Sequence, residues 1–117
     1  MNGNVILSAW NRSLTDSLPG SSQHFQEFSE FLGTQQRSGA IDSFEVVILE
    51  PYGGTLNGFF LIRGEPAKLG QLTASDEWTR HQIRSLLHLE GAATLRGFSG
   101  PQVAERMTTW GNELQKL

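Results

Sequence analysis

The sequence predicts a single α+β domain built on a four-stranded antiparallel sheet, and three observations support this class. Two apolar runs at 44–49 and 59–62, rich in β-branched and aromatic residues, flank a turn cluster that contains Pro51, Gly53 and Gly54. Segments with apolar residues at helical spacing lie on either side of this hairpin. Short apolar runs near both ends supply two more strands. A chain of 117 residues can bury one core but not two, so one domain covers 1–117.

The first strand is predicted at Val5–Trp10, followed by a polar loop at 11–22. A helix should begin near Ser21 or Ser22, because either serine can accept a hydrogen bond from a free backbone N–H of the first turn. Gly39 suits the left-handed conformation that ends a helix. The buried face of this helix is predicted to comprise Phe25, Phe28, Phe31 and Leu32.

Beyond the hairpin, Pro66 is well placed to open a short helix. Ser75 is predicted to cap a further helix that extends to about His88, since Asp76 and Glu77 follow it where the helix dipole favours negative charge. The buried positions of that helix are predicted to be Trp78, Ile83, Leu86 and Leu87. A fourth strand at 92–98 is less apolar than the hairpin strands, as an edge strand would be.

A last helix is predicted after Gly100 and Pro101. It carries a narrow apolar stripe at steps of four and three, formed by Val103, Met107, Trp110, Leu114 and Leu117. Such a stripe suits a single seam with another surface. The sequence leaves open whether that surface belongs to the same domain or to a partner.

The predicted order, β-α-β-β-α-β plus a terminal helix, is the ferredoxin-like split βαβ plan, in which two helices cover one face of the sheet. Both hairpin runs are apolar on both faces, whereas a half-exposed strand alternates apolar and polar residues. A bare apolar face would drive association, because each Å² removed from water contributes about 25 cal/mol. We therefore predict a homodimer, a dimeric α/β barrel paired through a sheet region that includes Phe44, Val46, Ile48, Phe59, Phe60 and Leu61.

This architecture resembles the dimeric α/β-barrel superfamily, which includes antibiotic-biosynthesis-type monooxygenases, muconolactone-isomerase-like enzymes and YCII-related proteins. A narrower similarity is to small bacterial proteins of that superfamily with no assigned activity. It is carried by Trp10-Asn11-Arg12, Glu50-Pro51 with Gly53-Gly54, Leu56-Asn57-Gly58-Phe59-Phe60, Arg63-Gly64 and Ser75-Asp76-Glu77. The resemblance covers nearly the whole chain at the level of architecture and implies no catalytic motif. Enzymes, haem binders and proteins without known chemistry share the fold, so it does not choose among functions.

Composition narrows the range of partners. Nine basic and twelve acidic residues give a net charge of −3, which argues against nucleic acid, because phosphate binding requires a basic patch. The chain has no cysteine, which excludes disulfides, thiolate metal sites and cysteine nucleophiles. No run approaches a membrane span or a secretory signal, so we expect a cytoplasmic protein that binds no membrane.

Four residues are candidates for binding a small organic ligand. Trp10 and Asn11 lie where the first strand meets its loop, at an end that can line a cleft between sheet and helices. Arg63 closes a hairpin strand and could hold a carboxylate through two hydrogen bonds. His81 could meet Glu77, one helical turn earlier. Each has a structural alternative: core packing for Trp10, a turn for Asn11, and ion pairs for Arg63 and His81.

No metal site or cofactor is expected. His81 and His88 are seven residues apart, about 10 Å along a helix, and a third ligand at suitable spacing is missing. Three function classes remain, in this order: a binding or interaction module with a possible small-molecule cleft, a cofactor-independent monooxygenase- or isomerase-like enzyme, and a haem or metal binder. An interaction module predicts a filled interior with histidines in solvent. An enzyme requires a cleft of roughly a few hundred Å³ with convergent polar groups, and a haem binder requires a histidine that faces it.

Overall fold

In the computed structural model, which describes residues 2–117, the chain forms six strands and four helices. The strands are β1 (Val5–Trp10), β2 (Arg12–Ser13), β3 (Ser43–Ile48), β4 (Gly58–Arg63), β5 (Leu89–Glu90) and β6 (Ala93–Gly97). The helices are α1 (Leu18–Arg37), α2 (Pro66–Thr73), α3 (Asp76–His88) and α4 (Pro101–Leu114). The predicted α+β class with a four-stranded antiparallel sheet is confirmed.

The sheet has the order β3-β4-β1-β6, and all three pairings are antiparallel. The fourth strand, β6, lies at an edge, as its weaker apolar character predicted. The predicted loop at 11–22 contains a short strand instead: β2 pairs with β5, and Arg12 forms an ion pair with Glu90 at 2.7 Å. This two-stranded ribbon holds the segment before α1 against the end of α3, where the Leu14 amide donates to the His88 carbonyl at 2.8 Å.

Helices α1, α2 and α3 cover one face of the sheet, which we call the inner face. The core lies between them and comprises Ile6, Phe28, Phe31, Leu32, Ile41, Phe60, Ile62, Leu69, Leu72 and Trp78. Phe44 and Val46 pack against its margin. The opposite, outer face carries the alternate residues of each strand, which include Leu7, Val47, Phe59, Leu61 and Leu95.

The register divides the six residues predicted for the homodimer contact between these two faces. Phe59 and Leu61 lie on the outer face, opposite Ala9 and Leu7 of β1. The other four belong to the inner face, where the helices pack: Phe44, Val46, Ile48 and Phe60. Because side chains alternate along a strand, apolar runs without polar residues do not reveal which set faces the helices.

Helix α1 begins at Leu18, earlier than the predicted start at Ser21 or Ser22. Pro19 falls in the first turn, where its missing N–H has no helical acceptor to lose, so the proline opens the helix instead of marking a loop. Ser21 therefore lies inside α1. The buried face is formed by His24, Phe28, Phe31 and Leu32, and Phe25 is 39% exposed. The predicted end is confirmed, with Gly39 at φ +81°.

Helix α3 is capped by Ser75 as predicted, and its hydroxyl accepts from the Trp78 amide at 3.2 Å. Its buried face was predicted wrongly except for Trp78. The three aliphatic residues expected inside are 52–71% exposed: Ile83, Leu86 and Leu87. His81, seven per cent exposed, is buried beside Trp78 instead. The face of α3 that points to the core therefore carries Trp78 and His81, and the hydrogen-bond partner of His81 is His24 on α1.

Helix α4 begins at Pro101 as predicted but ends at Leu114, before Leu117 of the predicted stripe, and it has no buried residue. All five residues of its apolar stripe are between 46% and 100% exposed. The radius of gyration is 16.0 Å, whereas a compact domain of this length has about 13 Å. The apolar stripe of α4 is thus not buried on its own domain.

Candidate functional site

A cleft of about 710 Å³ lies between the inner face of the sheet and helices α1 and α3. Such a volume falls within the range of sites for small organic ligands. Apolar side chains form much of its wall, among them Trp10, Phe25 and Phe60. Leu18 and Leu86, each about two-thirds exposed, also line it. The polar groups in the wall are mainly serine hydroxyls and two imidazoles.

Trp10 is held in the wall by aromatic contacts and by a glycine. Its ring centroid lies 6.2 Å from that of Phe25, edge to face, and 5.7 Å from that of Phe60. Gly58 pairs with Trp10 across β1 and β4. A Cβ atom at Gly58 would lie 2.5 Å from Cζ2 of Trp10, so only glycine leaves room for the indole here. The ring is therefore a fixed aromatic surface of the cleft.

Five side chains form a continuous line of hydrogen bonds, which we call the serine–histidine network: Ser13, Ser21, His88, His24 and His81. The Ser13 and Ser21 hydroxyls are 2.7 Å apart, and Ser21 Oγ lies 2.6 Å from His88 Nδ1. His88 Nε2 lies 2.7 Å from His24 Nδ1. His24 Nε2 lies 3.0 Å from His81 Nδ1. All members except His81 line the cleft.

Helical spacing explains how the network assembles. Ser21 and His24 are three residues apart on α1, and His24 continues the buried row that leads to Phe28. His81 and His88 are two turns apart on α3, too far to touch each other. The imidazole of His24 fills the gap between them and uses one ring nitrogen for each.

The network is complete when all three histidines are neutral. A neutral imidazole has one N–H donor and one acceptor nitrogen, so the line needs one proton per link. If the donors point from His81 toward Ser13, the last proton is the Ser13 hydroxyl hydrogen, and the Leu14 carbonyl accepts it at 3.3 Å. If every donor points the opposite way, from Ser13 toward His81, each of the four hydrogen bonds is still formed. Changing from the first arrangement to the second moves one proton along each link toward Ser13, while His81 gains a proton at Nε2 and Ser13 releases one, so the net charge is unchanged.

Electrostatics favour this neutral state. Burial lowers the pKa of His24 to about 4, and the positive charge of Arg84 and the neighbouring imidazoles act in the same direction. Burial, followed by Arg84, also lowers the pKa values of His81 and His88. Arg84 is fixed beside α1 by an ion pair with Glu27. At neutral pH the three imidazoles are therefore free bases.

Of the four predicted ligand-binding residues, Trp10 alone lines the cleft. Asn11 fastens the long hairpin loop, because its side-chain oxygen accepts from Asn57 Nδ2 at 2.6 Å. Arg63 lies on the outer face and donates to Glu45 at 3.2 Å, so it is remote from the cleft. Arg63 thus follows its structural alternative, an ion pair, whereas Asn11 bonds to a distant loop and not within a turn.

His81 occupies the inner end of the network. Its ring is packed against Phe28 and Phe31, with centroid distances of 5.2 and 4.8 Å, and lies nearly parallel to that of His24 at an angle of 9°. It does not line the cleft. Any effect of His81 on a ligand must pass through His24.

Four members of the network were not predicted from the sequence as site residues: Ser13, Ser21, His24 and His88. The spacing of the histidines in the sequence could have indicated that they are buried. His24 precedes Phe28 by four residues and Phe31 by seven, the spacing of one helix face. The same helical spacing occurs on α3, where His81 follows Trp78 by three residues and His88 follows His81 by seven. The serines carried no such signal, because their partners are distant in sequence.

The described residues also bear on metals and membranes. No group of three metal-ligating side chains converges within residues 2–117. In the same range, no helix has the length and apolarity needed to cross a bilayer.

The chain was also compared with known proteins: no protein family, no curated protein and no solved structure matches it. The interpretation of the cleft therefore rests on its geometry.

Proposed function

We propose that this protein is a small-molecule enzyme that transfers protons to and from a largely apolar organic substrate held in the cleft. The observation that carries this proposal is the serine–histidine network along the cleft wall. A protein that serves only as an interaction module is expected to have a filled interior and solvent-exposed histidines. The cleft of about 710 Å³ and the buried imidazoles favour the enzyme instead.

The lining indicates the class of substrate. Within residues 2–117, none of the side chains that line the cleft is Asp, Glu, Lys or Arg. A charged substrate would lose its hydration without gaining an ion pair, at a cost of several kcal/mol. An uncharged compound with an aromatic or aliphatic body and one or two carbonyl or hydroxyl groups suits this wall. Trp10 supplies a face for stacking, and the hydroxyls and imidazoles supply hydrogen bonds.

His88 is the base we assign to proton abstraction, and it acts through Ser21, because both of its ring nitrogens are hydrogen-bonded. It is half-buried, lines the cleft and is neutral at pH 7, as a general base must be. Ser21 Oγ takes the substrate proton while its own hydrogen passes to His88 Nδ1. The proton on His88 Nε2 can then pass to His24, and the one on His24 Nε2 to His81; the same steps in reverse return a proton to the substrate through Ser21. This relay suits an isomerisation, in which a proton leaves one carbon and another is delivered elsewhere. General acid–base catalysis of this kind contributes about 10²–10⁴-fold in rate.

Haem binding has less support. An axial ligand needs an imidazole nitrogen that faces the cleft and is not engaged in a hydrogen bond. Both ring nitrogens of His24 and both of His88 are within 2.6–3.0 Å of a hydrogen-bond partner. His81 lies behind them, outside the cleft lining. Ligation would therefore require breaking the network.

The proposal is tested by proton exchange in heavy water. Small uncharged aromatic ketones with exchangeable α-hydrogens are incubated with the protein in D₂O, and deuterium uptake is followed by NMR. We expect the protein to accelerate uptake and His88→Asn to lose about 10²-fold or more of that acceleration. Thr79→Ala is the matched control on the same helix, because Thr79 bonds only to the Ser75 carbonyl. If the protein binds none of these ketones and accelerates no exchange, the proposal is refuted.

We also propose that the domain is ferredoxin-like and that two copies pair through their outer faces as a dimeric α/β barrel. The strand order β3-β4-β1-β6, with helices over one face, supports the ferredoxin-like plan. The apolar outer face and the exposed stripe of α4 support pairing with a second copy. A cytoplasmic location stays a prediction from the sequence.

A further inference from the structure

The surroundings of Ser21 suit a covalent step as well as proton transfer. Its hydroxyl lies 2.6 Å from Nδ1 of His88. The opposite nitrogen of His88 lies 2.7 Å from Nδ1 of His24. A hydroxyl next to a histidine that a third side chain orients is the arrangement by which proteins activate serine nucleophiles. Such sites are recognised by these distances and roles and not by sequence order.

We propose that Ser21 is a catalytic nucleophile, that His88 is its base and His24 the group that orients His88, and that the substrate is an uncharged ester of a small apolar acid. This inference rests on the proposed function, since it uses the same cleft and the same imidazoles. It goes further by naming a covalent step and a substrate class. An ester is uncharged and presents one carbonyl to the polar wall, which agrees with a lining that contains no Asp, Glu, Lys or Arg among residues 2–117.

The position of Ser21 supports a chemical role. Ser21 is the fourth residue of α1 and is not the helix cap, so its hydroxyl does not satisfy a backbone group of the first turn. It lines the cleft and is half-buried. Ser13 Oγ lies 2.7 Å away and can donate its hydrogen to Ser21 Oγ while Ser21 donates to His88. This hydrogen bond from Ser13 holds Ser21 Oγ in place with its own hydrogen directed at His88.

The start of α1 contributes to the same site. Ser21 lies near the positive end of the helix dipole, and Leu18 and Ser22 of the same two turns also line the cleft. This end of the helix favours the negative charge that the carbonyl oxygen of an ester acquires during attack.

The reaction balances without a metal or an oxidant. Ser21 Oγ forms a bond to the ester carbonyl carbon while its hydrogen passes to His88 Nδ1. The bond from that carbon to the alcohol oxygen then breaks, and the departing oxygen takes the proton from His88. Water attacks the resulting acyl-serine, gives a proton to His88 and releases the acid as Ser21 Oγ recovers that proton. Throughout, His88 Nε2–H donates to His24 Nδ1. Because His24 is uncharged, it stabilises the imidazolium less than a carboxylate would, and we expect slow turnover.

The first test is covalent labelling with a fluorophosphonate probe that carries an apolar chain. Intact-mass and peptide mass spectrometry should show one adduct per chain, located on Ser21. Ser21→Ala should abolish the adduct, and His88→Asn should slow it by about 10²-fold or more. Ser29→Ala is the matched control, because Ser29 lies on α1 outside the cleft and donates only to the Phe25 carbonyl. An adduct on another serine, or none, overturns the inference.

A second test does not depend on the alanine variant folding. The chain has no cysteine, so Ser21→Cys introduces a single thiol, and adding His88→Asn removes the proposed base while the thiol stays at the same helix position. If His88 activates residue 21, iodoacetamide should alkylate this thiol at least about tenfold faster at pH 7 when His88 is present than when it is replaced. Equal rates overturn the assignment of His88 as the base. If the fluorophosphonate does not label Ser21 but the protein still accelerates deuterium uptake by ketones, only the assignment of Ser21 as nucleophile is refuted. If neither labelling nor exchange is observed, the proposed function is refuted as well.

Discussion

Acidification from pH 7 to pH 4.5 should destabilise the fold through the buried histidines. His24 is 4% exposed, and burial, followed by the charge of Arg84, lowers its pKa from 6.5 to about 4. In the unfolded chain the same imidazole titrates at its ordinary value. Between these two pKa values the unfolded state binds the proton more readily than the folded state. The free energy of unfolding therefore decreases as the pH falls through this window.

The magnitude follows from the two pKa values. The difference between 6.5 and about 4 corresponds to about 3 kcal/mol, since one pKa unit is about 1.4 kcal/mol. This contribution is fully present above pH 6.5 and is lost by about pH 4. His81 and His88 act in the same direction, because their pKa values are lowered by the same causes. Domains of this size have about 5–15 kcal/mol of stability, so the loss is large.

The assay is urea unfolding followed by tryptophan fluorescence at several pH values from 7.5 to 4.5. Histidine pKa values are measured in parallel by NMR. This window isolates the histidines: Glu27, whose pKa is lowered mainly by its hydrogen bond to Arg84, loses its contribution only below the ordinary glutamate value of 4.5. His24→Gln is the control, and it should be less stable at pH 7 with a smaller pH slope. A free energy that stays constant over this range, or a His24 that titrates near 6.5, would refute the reasoning.

Three further predictions concern the environment of the network and the assembly. Arg84→Met should raise the NMR pKa of His24, because it removes the largest influence after burial; an unchanged pKa would contradict this assignment. Phe59→Asp should give a folded monomer by sedimentation equilibrium, whereas Phe60→Asp should unfold the chain, because Phe60 is 4% exposed in the core; a dimeric Phe59→Asp protein would refute pairing through the outer face. Trp110→Ala should change the unfolding free energy of the monomer by less than about 0.5 kcal/mol, because Trp110 is 64% exposed. The same substitution should weaken dimerisation. A loss of several kcal/mol from the monomer would show that α4 is docked on its own domain.

Much of the fold was predictable because local chemistry determines it. Ser75 caps α3, Pro66 opens α2 and Gly39 ends α1, and each of these follows from the backbone preferences of one residue. The β-hairpin was predictable from its β-branched and aromatic runs. The start of α1 was missed because Pro19 is compatible with either a loop or a first helical turn.

The candidate site was much less predictable, because it depends on tertiary partners. His24 and His81 occupy buried positions that a hydrophobicity pattern assigns to apolar residues, and each is compatible with burial only because the other supplies a hydrogen bond. The face of Arg63 depends on strand register, which apolar runs on both sides do not fix. Trp10 lies in the cleft wall because the end of the first strand borders the cleft in a fold of this plan, and its role in ligand binding stays a prediction.

The serine–histidine network is tested most directly by long-range ¹H–¹⁵N NMR of the three histidine side chains at pH 7. We predict three neutral imidazoles, each with one protonated and one unprotonated nitrogen, and proton signals shifted by strong hydrogen bonds between rings. Addition of an uncharged apolar ligand should shift the signals of His24 and His88, which line the cleft. The network would be contradicted by three imidazoles that titrate independently near pH 6.5, exchange their protons freely with water and show no signal change when such a ligand is added.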